Sequence, residues 1–395
     1  AVIEITTRQE SPQPSAVPLA ANDRLSSLGL HVSSGWHEKN DRTRGYFESR
    51  WGLPGSLDDV ILQGPHLYVA NPLYKSPNES MKHQLDWSRN DLESVSAEAI
   101  PITSYKPTGD RHSYAAAYGT WGERKSPPRA RYRVAWRRMA ANTGERTLIA
   151  ALVPPGPALM QTVVSAGTAD GEQLSTVLAA GLLSSLVHDF MVRTSPKSDI
   201  LFASAMRLPV ARDHLLIPEL LHRTLRLNSL TGAYGEIWNE GYTEHGRYWA
   251  SDSWAGGISY IGRPEFVSYD SKWTTLVPLR RESDRRQALV EIDAIVALML
   301  SISSDELCTI YRTQFAVLFG YDRTVNAYDV NGRIVPNSVL SAWRRKGDAI
   351  SLDERTATNV SGNTYTYELP FVTLDREADM RQAYAHFEQV LAERS

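Results

Sequence analysis

Nine basic side chains against two acidic ones fall between Arg111 and Arg146, in a chain of 395 residues whose formal net charge is -3. They are Arg111, Arg124, Lys125, Arg129, Arg131, Arg133, Arg137, Arg138 and Arg146, interleaved with Tyr114, Tyr118, Trp121, Tyr132 and Trp136. A guanidinium forks onto phosphate oxygens or onto the O6 and N7 of guanine and stacks on aromatic rings, which an ammonium does less well. Positive charge gathered in an otherwise acidic chain predicts a surface that faces a polyanion. The competing expectation is a solvated face whose aliphatic stems cover the aromatics.

Other polar groups are tempting but incomplete. Asn71-Pro72-Leu73-Tyr74 follows the apolar run Leu67 to Ala70 and approaches the Asn-Pro-Pro-Tyr tetrad with which amino-methylating DNA enzymes hold a flipped base. Its third place is Leu, and no strand, Gly-rich turn and helix precede it to hold a nucleotide-like methyl donor. A turn after a buried strand is the plainer expectation. His37-Glu38-Lys39-Asn40 has residue types found in small metal-dependent nucleases, but without a second cluster it reads as a polar turn between strands. His188 and Asp189 point about 100° apart on a helix and read as a partly buried polar spot. Glu291 and Asp293, two apart on a helix, read as solvated flanks.

The scattered histidines His83, His112, His214, His222 and His245 lack the i, i+4 pair with a carboxylate that a helical zinc site needs, so no metal is expected. Cys308 is the only cysteine, which excludes an intrachain disulfide and a thiolate zinc cage; it reads as a small core residue in a reducing, cytoplasmic setting. The first residues show no secretory pattern, and a start at Ala1 fits a processed or excised piece. The longest apolar stretch, around Val177 to Val192, is broken by Gly181, Ser184, Ser185, His188 and Asp189, so no membrane span is expected.

The elements that must hold these groups read as an α+β fold, a β-rich N-terminal lobe followed by a mainly helical one. Residues 1–24 form a flexible leader or linker end, and 25–168 the β-rich lobe. A helical bracing lobe covers 169–320 with an irregular Trp/Gly-rich insertion at 241–275, and 321–395 add an α/β extension. Val60 to Leu62, Leu67 to Ala70, Arg131 to Trp136 and Thr147 to Val153 are strand candidates. In the third, Arg131, Arg133 and Ala135 should make a charged face, with Tyr132, Val134 and Trp136 packed opposite. Leu174, Leu178, Leu182, Leu186 and Phe190 predict one helix, and Pro218 to Trp238 another with a break near Gly232. Asp284 with Gln287, and Ser303 with Glu306, read as capping boxes.

Several blocks, in order and separation, resemble the carboxy-terminal half of type IIG fused restriction-modification adenine methyltransferases and their phage-growth-limitation relatives. These blocks are Gly64 to Val69 with Asn71 to Lys75, Tyr132 to Ala140, Glu145 to Gly156, Leu186 to Arg193 with Leu208-Pro209-Val210, Leu225 to Asn228, and Tyr311 to Phe315. In that family this region follows the methyl-transfer domain and contains the target-recognition module. The resemblance implies sequence-specific recognition of double-stranded DNA without catalysis by this chain, with S-adenosylmethionine on a partner or upstream domain and a methyltransferase or nuclease as protein partner. It also implies that Arg133 and Arg137 can be scaffold, which leaves Lys75, Asn78, Lys82, Arg111, Arg124, Lys125 and Arg129 as loop contacts. Arg138 belongs to the same basic run, and Arg344, Arg345 and Lys346 form a second phosphate clamp. A catalytic fragment, methyltransferase or nuclease, and a protein-interaction scaffold in a defence complex remain the alternatives.

Overall fold

Val163 to Thr168 and Arg133 to Trp136 are enclosed residue by residue, as strands are when both faces of their sheet are covered. The computed structural model that shows this describes residues 23–83, 85–195, 198–243 and 269–394. Most of the expected leader and insertion, including Trp249 and Trp254, lies outside the described residues.

The strands are β1 (Asp23–Arg24), β2 (Leu30–Ser33), β3 (Phe47–Gly52), β4 (Ile61–Leu62), β5 (Lys75–Pro77), β6 (Trp87–Arg89), β7 (Thr103–Pro107), β8 (Arg133–Arg137), β9 (Ala150–Val153), β10 (Ala158–Leu159), β11 (Val163–Thr168), β12 (Pro209–Val210), β13 (Thr356–Thr358) and β14 (Thr364–Thr366). The central sheet runs β2-β11-β8-β9, antiparallel throughout. The pairs β3-β7, β5-β6 and β13-β14 are separate antiparallel ribbons.

The helices are α1 (Glu38–Thr43), α2 (Arg111–Ala117), α3 (Leu174–Ser184), α4 (Leu186–Arg193), α5 (Phe202–Ala205), α6 (Ile217–Asn228), α7 (Gly235–Gly241), α8 (Glu282–Met299), α9 (Ser304–Gln314), α10 (Ala316–Gly320), α11 (Asn337–Lys346) and α12 (Arg376–Arg394). The fold is therefore α+β, strand-rich in its N-terminal part and mostly helical beyond.

Strand alternation sorts the central sheet onto two layers. Val134, Trp136, Ala150, Leu152, Val164 and Ala166 enter the main core with helices α3, α6 and α8. Ala135, Ala151, Val153 and Val163 meet Val60, Leu62, Leu67 and Leu159 on the other side. The expected charged face of β8 is thus covered by a second layer, and Arg133 is enclosed with it. Leu67 to Ala70 is a turn bridged between Tyr68 and Asn71 instead of a strand.

The four-residue leucine spacing spans two helices. Ser185 closes α3 and caps α4 by accepting from the His188 N–H at 3.2 Å, and the axes bend by 68° there. A serine oxygen that satisfies an N-terminal N–H starts a helix more strongly than leucine periodicity prolongs one. Among the described residues no single helix is long and apolar enough to cross a membrane. Gly181 lets α3 and α6 touch, since a Cβ there would meet Thr224 and Leu220.

Helix α8 starts at Glu282, ahead of the expected Asp284 box, and its cap Arg281 supplies no side-chain bond. It is surrounded by α3, α4, α6 and α12, and a helix enclosed all round must pair its charges internally. Glu291 and Asp293 are accordingly not solvated flanks. Glu291 accepts from Arg223 at 2.5 Å, and Asp293 accepts from the Leu186 N–H at 2.7 Å. The Ser303–Glu306 box closes as the sequence predicts, and Cys308 is in the core, its thiol pushed up to about 11 by burial.

Candidate nucleic-acid interface

The arginine run is taken apart by the fold. Arg133 donates to the Pro157 carbonyl at 2.5 Å, and Arg137 to the Gly64 and Leu67 carbonyls at 2.8 and 2.6 Å. Arg146 is buried on Asp189, which also accepts from the Thr147 and Leu148 N–H groups. Arg129 donates to the Gly156 and Asp58 carbonyls and lies 4.9 Å over the Tyr114 ring. Arg138 pairs with Asp199 at 2.9 Å. Exposed Arg124 lies 3.9 Å from Asp170, and Lys125 sits nearby in a turn at φ 51°. The run therefore makes no continuous cationic face. Arg133, Arg137 and Arg129 are corrected from DNA contacts to internal ties, because each guanidinium satisfies carbonyls that the strands and turns leave open.

A different grouping is open to solvent. Strand β3 carries one extra residue against β7, since Ser49 pairs with Tyr105 and Gly52 with Thr103. Such a bulge bends the strand and re-aims side chains. Here it turns Arg50 into a cavity of about 410 Å³ that Trp51, Tyr105, Lys106 and Arg111 also line. Asp59 is the one carboxylate in that lining and pairs with Arg111, the first residue of α2. The cleft lining thus holds three cations and two aromatic rings with Asp59, while Glu48 lies 3.8 Å from Arg50 and Glu38 accepts from the hydroxyl of the buried Tyr105. Cations and an aromatic edge are what a nucleotide's phosphate and base would meet.

The β5-β6 hairpin adjoins the cleft through Trp51, whose indole N–H donates to the Pro77 carbonyl. At its base Tyr74 stacks on Tyr68 with centroids 4.7 Å apart, while Lys75 and Arg89 lie 5.2 and 5.8 Å from the Tyr74 centroid. Burial, then the neighbouring charges of Arg137 and Arg89, lower the Lys75 ammonium from its usual value, so an anion here would relieve like-charge crowding. Burial pushes the Glu145 carboxyl upward, against a hydrogen bond from Tyr68.

Between the strands, Asn78 is consumed by the loop. Its amide donates to Asp86 at 2.8 Å and its oxygen accepts from Ser88 at 2.7 Å, which corrects it from a base-reading group. Lys82 is exposed, and its backbone N–H donates to the Asp86 carboxylate at 3.0 Å. On the far side, Asp91 accepts from Asn359, Asn363 and Tyr365 of the β13-β14 ribbon, which brace the hairpin.

Arg111 therefore lines the cleft, Lys75 and Lys82 belong to the hairpin that the Trp51 bond joins to it, and Arg124 and Lys125 are placed in a separate turn. Arg344 and Arg345 are exposed and donate to the carbonyls of Thr324 and Ser341, whereas Lys346 pairs with Glu354 at 2.7 Å. Sequence reasoning missed Arg50, Trp51, Arg89 and Lys106. Arg50-Trp51 directly before Gly52-Leu53-Pro54-Gly55 was the available signal, a cation and an aromatic at a strand end.

The tempting catalytic groups serve local structure. Asn71 accepts from the Leu73 N–H at 3.0 Å, and His37 caps α1 by accepting from Asn40 at 3.2 Å. His37 to Asn40 is thus the start of a helix, not a turn between strands. His188 and Asp189 are fully enclosed. Among the described residues no group of three His, Cys, Asp or Glu is placed to hold a metal ion. No protein-family model matches the chain, and no curated protein matches it.

Proposed function

We propose that this chain recognises double-stranded DNA as the specificity part of a restriction-modification or phage-defence methylation system in the cytoplasm. Methyl transfer, with its S-adenosylmethionine, or cleavage is supplied by another domain or subunit. The observation that carries this reading is the cleft, where Arg50, Lys106 and Arg111 surround a cavity of about 410 Å³ beside an aromatic-based hairpin. Phosphates would provide most of the affinity, and the hairpin would follow the groove. The order of the sequence blocks supports a place beside a methyl-transfer domain.

The test is anisotropy of a labelled duplex pool titrated from 50 to 200 mM salt, with the Arg50→Ala/Lys106→Ala chain as comparison. Each phosphate neutralised adds about 0.9 to the log-log salt slope, so removing two contacts should flatten it by nearly two and weaken binding about equally across sequences. Salt-independent binding, or a slope the double substitution leaves unchanged, contradicts the reading.

A further inference from the structure

Strand β8 buries a guanidinium that has no counter-charge. Arg133 is fully enclosed, and among the described residues it makes no ion pair, whereas the enclosed Arg146, Arg223 and Arg376 are each held on an Asp or Glu. It donates from one Nη to the Pro157 carbonyl, while its Nε and its other Nη meet no acceptor among the described residues. Burial lowers its proton affinity from the usual guanidinium value, and its electrostatic neighbours are Tyr118, Arg129 and Tyr114.

These neighbours are donors as well. The Tyr118 hydroxyl accepts from the Leu159 N–H at 3.0 Å, and the Tyr114 hydroxyl accepts from the Trp36 indole N–H at 2.9 Å, which leaves each phenolic proton to donate. Pro157 and Leu159 stand two residues apart, so one stretch of backbone fixes Arg133 beside Tyr118. Arg129 lies 4.9 Å over the Tyr114 ring, and its own carboxylate contact, Asp58, is 3.4 Å away with a side chain 79% exposed.

An enclosed charge without a partner is far costlier than an enclosed neutral group. A water molecule would supply acceptors and no charge, whereas an anion supplies both. Trp36, Phe47, Tyr105, Tyr114, Tyr118 and Ala158 pack together in this interior, which limits the ligand to a single-atom ion. We infer that Arg133, Tyr118 and Tyr114 hold a monovalent anion of chloride's size, with the guanidinium as counter-charge and the two hydroxyls completing the donor set. The site ties β8 to β10 and α2. It stands independently of the DNA reading, because all three side chains are buried away from any duplex.

The probe is chloride itself, exchanged for bulky gluconate at constant ionic strength while urea unfolding is followed. An ion held only by the folded chain multiplies the folding constant by up to ten for each tenfold rise in chloride above its Kd. Wild type should show that dependence. Arg133→Met, which replaces the cation by an apolar chain, should lose it. Should Arg133→Met fail to fold, Tyr118→Phe carries the comparison: it keeps the guanidinium, removes one donor and should displace the dependence to severalfold higher chloride. Bromide soaked into crystals should give an anomalous peak within hydrogen-bonding distance of the Arg133 guanidinium. A wild-type chloride response matched by Arg133→Met or by Tyr118→Phe, or bromide found at the surface alone, overturns the site, and water is then what meets the free donors.

Discussion

The indole N–H of Trp51 donates to the carbonyl oxygen of Pro77 at 2.8 Å, joining the bulged strand β3 to the hairpin β5-β6. Trp51→Phe keeps a ring in the cleft wall and removes the donor. A hydrogen bond of this kind contributes about 0.5–1.5 kcal/mol net, which corresponds to roughly 2- to 12-fold in a binding constant if it aligns the two halves of the interface. Duplex affinity should fall within that range at an unchanged salt slope. An affinity equal to wild type would show that the cleft and the hairpin act independently.

Asp59 sits in the cleft wall and holds Arg111, with side chains 24% and 55% exposed. Asp59→Asn keeps an acceptor and removes the negative charge. If Arg111 meets a phosphate, duplex binding should tighten severalfold at 50 mM salt and the log-log slope should steepen by up to about 0.9. No change in slope would assign Arg111 to the structure of the α2 start alone.

The sequence made the broad fold readable because its signals were local. Ser303 with Glu306 closes its box within one turn, and the apolar run Thr147 to Val153 marks the strand that forms as β9. What it hid depended on distant partners. Arg133, Arg137 and Arg129 looked like a cationic face because the carbonyls they satisfy, on Pro157, Gly64, Leu67, Gly156 and Asp58, are 24 to 73 residues away. Glu291 looked solvated because its partner Arg223 is 68 residues off. The bulge at Arg50 and Trp51 is a property of register with β7, and no spacing within β3 reports it.

Arg223 and Glu291 are 0% and 1% exposed in their side chains, with Nε and Oε2 2.5 Å apart. Burial pushes the Glu291 carboxyl upward while Arg223 pulls it down. Arg223→Ala leaves that carboxyl enclosed without its counter-charge and should cost about 3–5 kcal/mol in urea unfolding. The apolar pair Arg223→Met/Glu291→Leu should recover most of the loss. Arg124→Ala, whose side chain is 81% exposed, should stay within about 0.5 kcal/mol. A single Arg223 substitution as mild as Arg124→Ala would refute the internal assignment of this pair.

His66 and His188 are both fully enclosed in neutral form. Nδ1 of His66 accepts from the Gln63 N–H at 2.9 Å while its Nε2 donates to the Ile102 carbonyl at 2.9 Å, and Nε2 of His188 donates to the Pro209 carbonyl at 2.9 Å. Burial pushes each imidazole from 6.5 down to about 4. The unfolded chain takes up these protons near pH 6.5 and the folded chain only near pH 4. Their stabilising contribution is therefore complete above pH 6.5 and is lost as the pH falls through about 4, on the order of 3 kcal/mol for each ring. Asp293 works in the opposite sense, because burial raises its carboxyl from 3.8 to about 6 and its contribution is lost as the pH rises through that value. Between pH 6 and 4 the two histidines contribute a decline of unfolding free energy with acid, while Asp293 and the raised carboxyls Glu145, Glu282 and Glu291 act in the opposite sense. Asp293→Asn should steepen that decline, and His66→Gln should flatten it by nearly one proton. Urea unfolding at half-unit pH intervals measures both slopes, and a His66→Gln chain with the wild-type slope would rule out a buried neutral ring at that position.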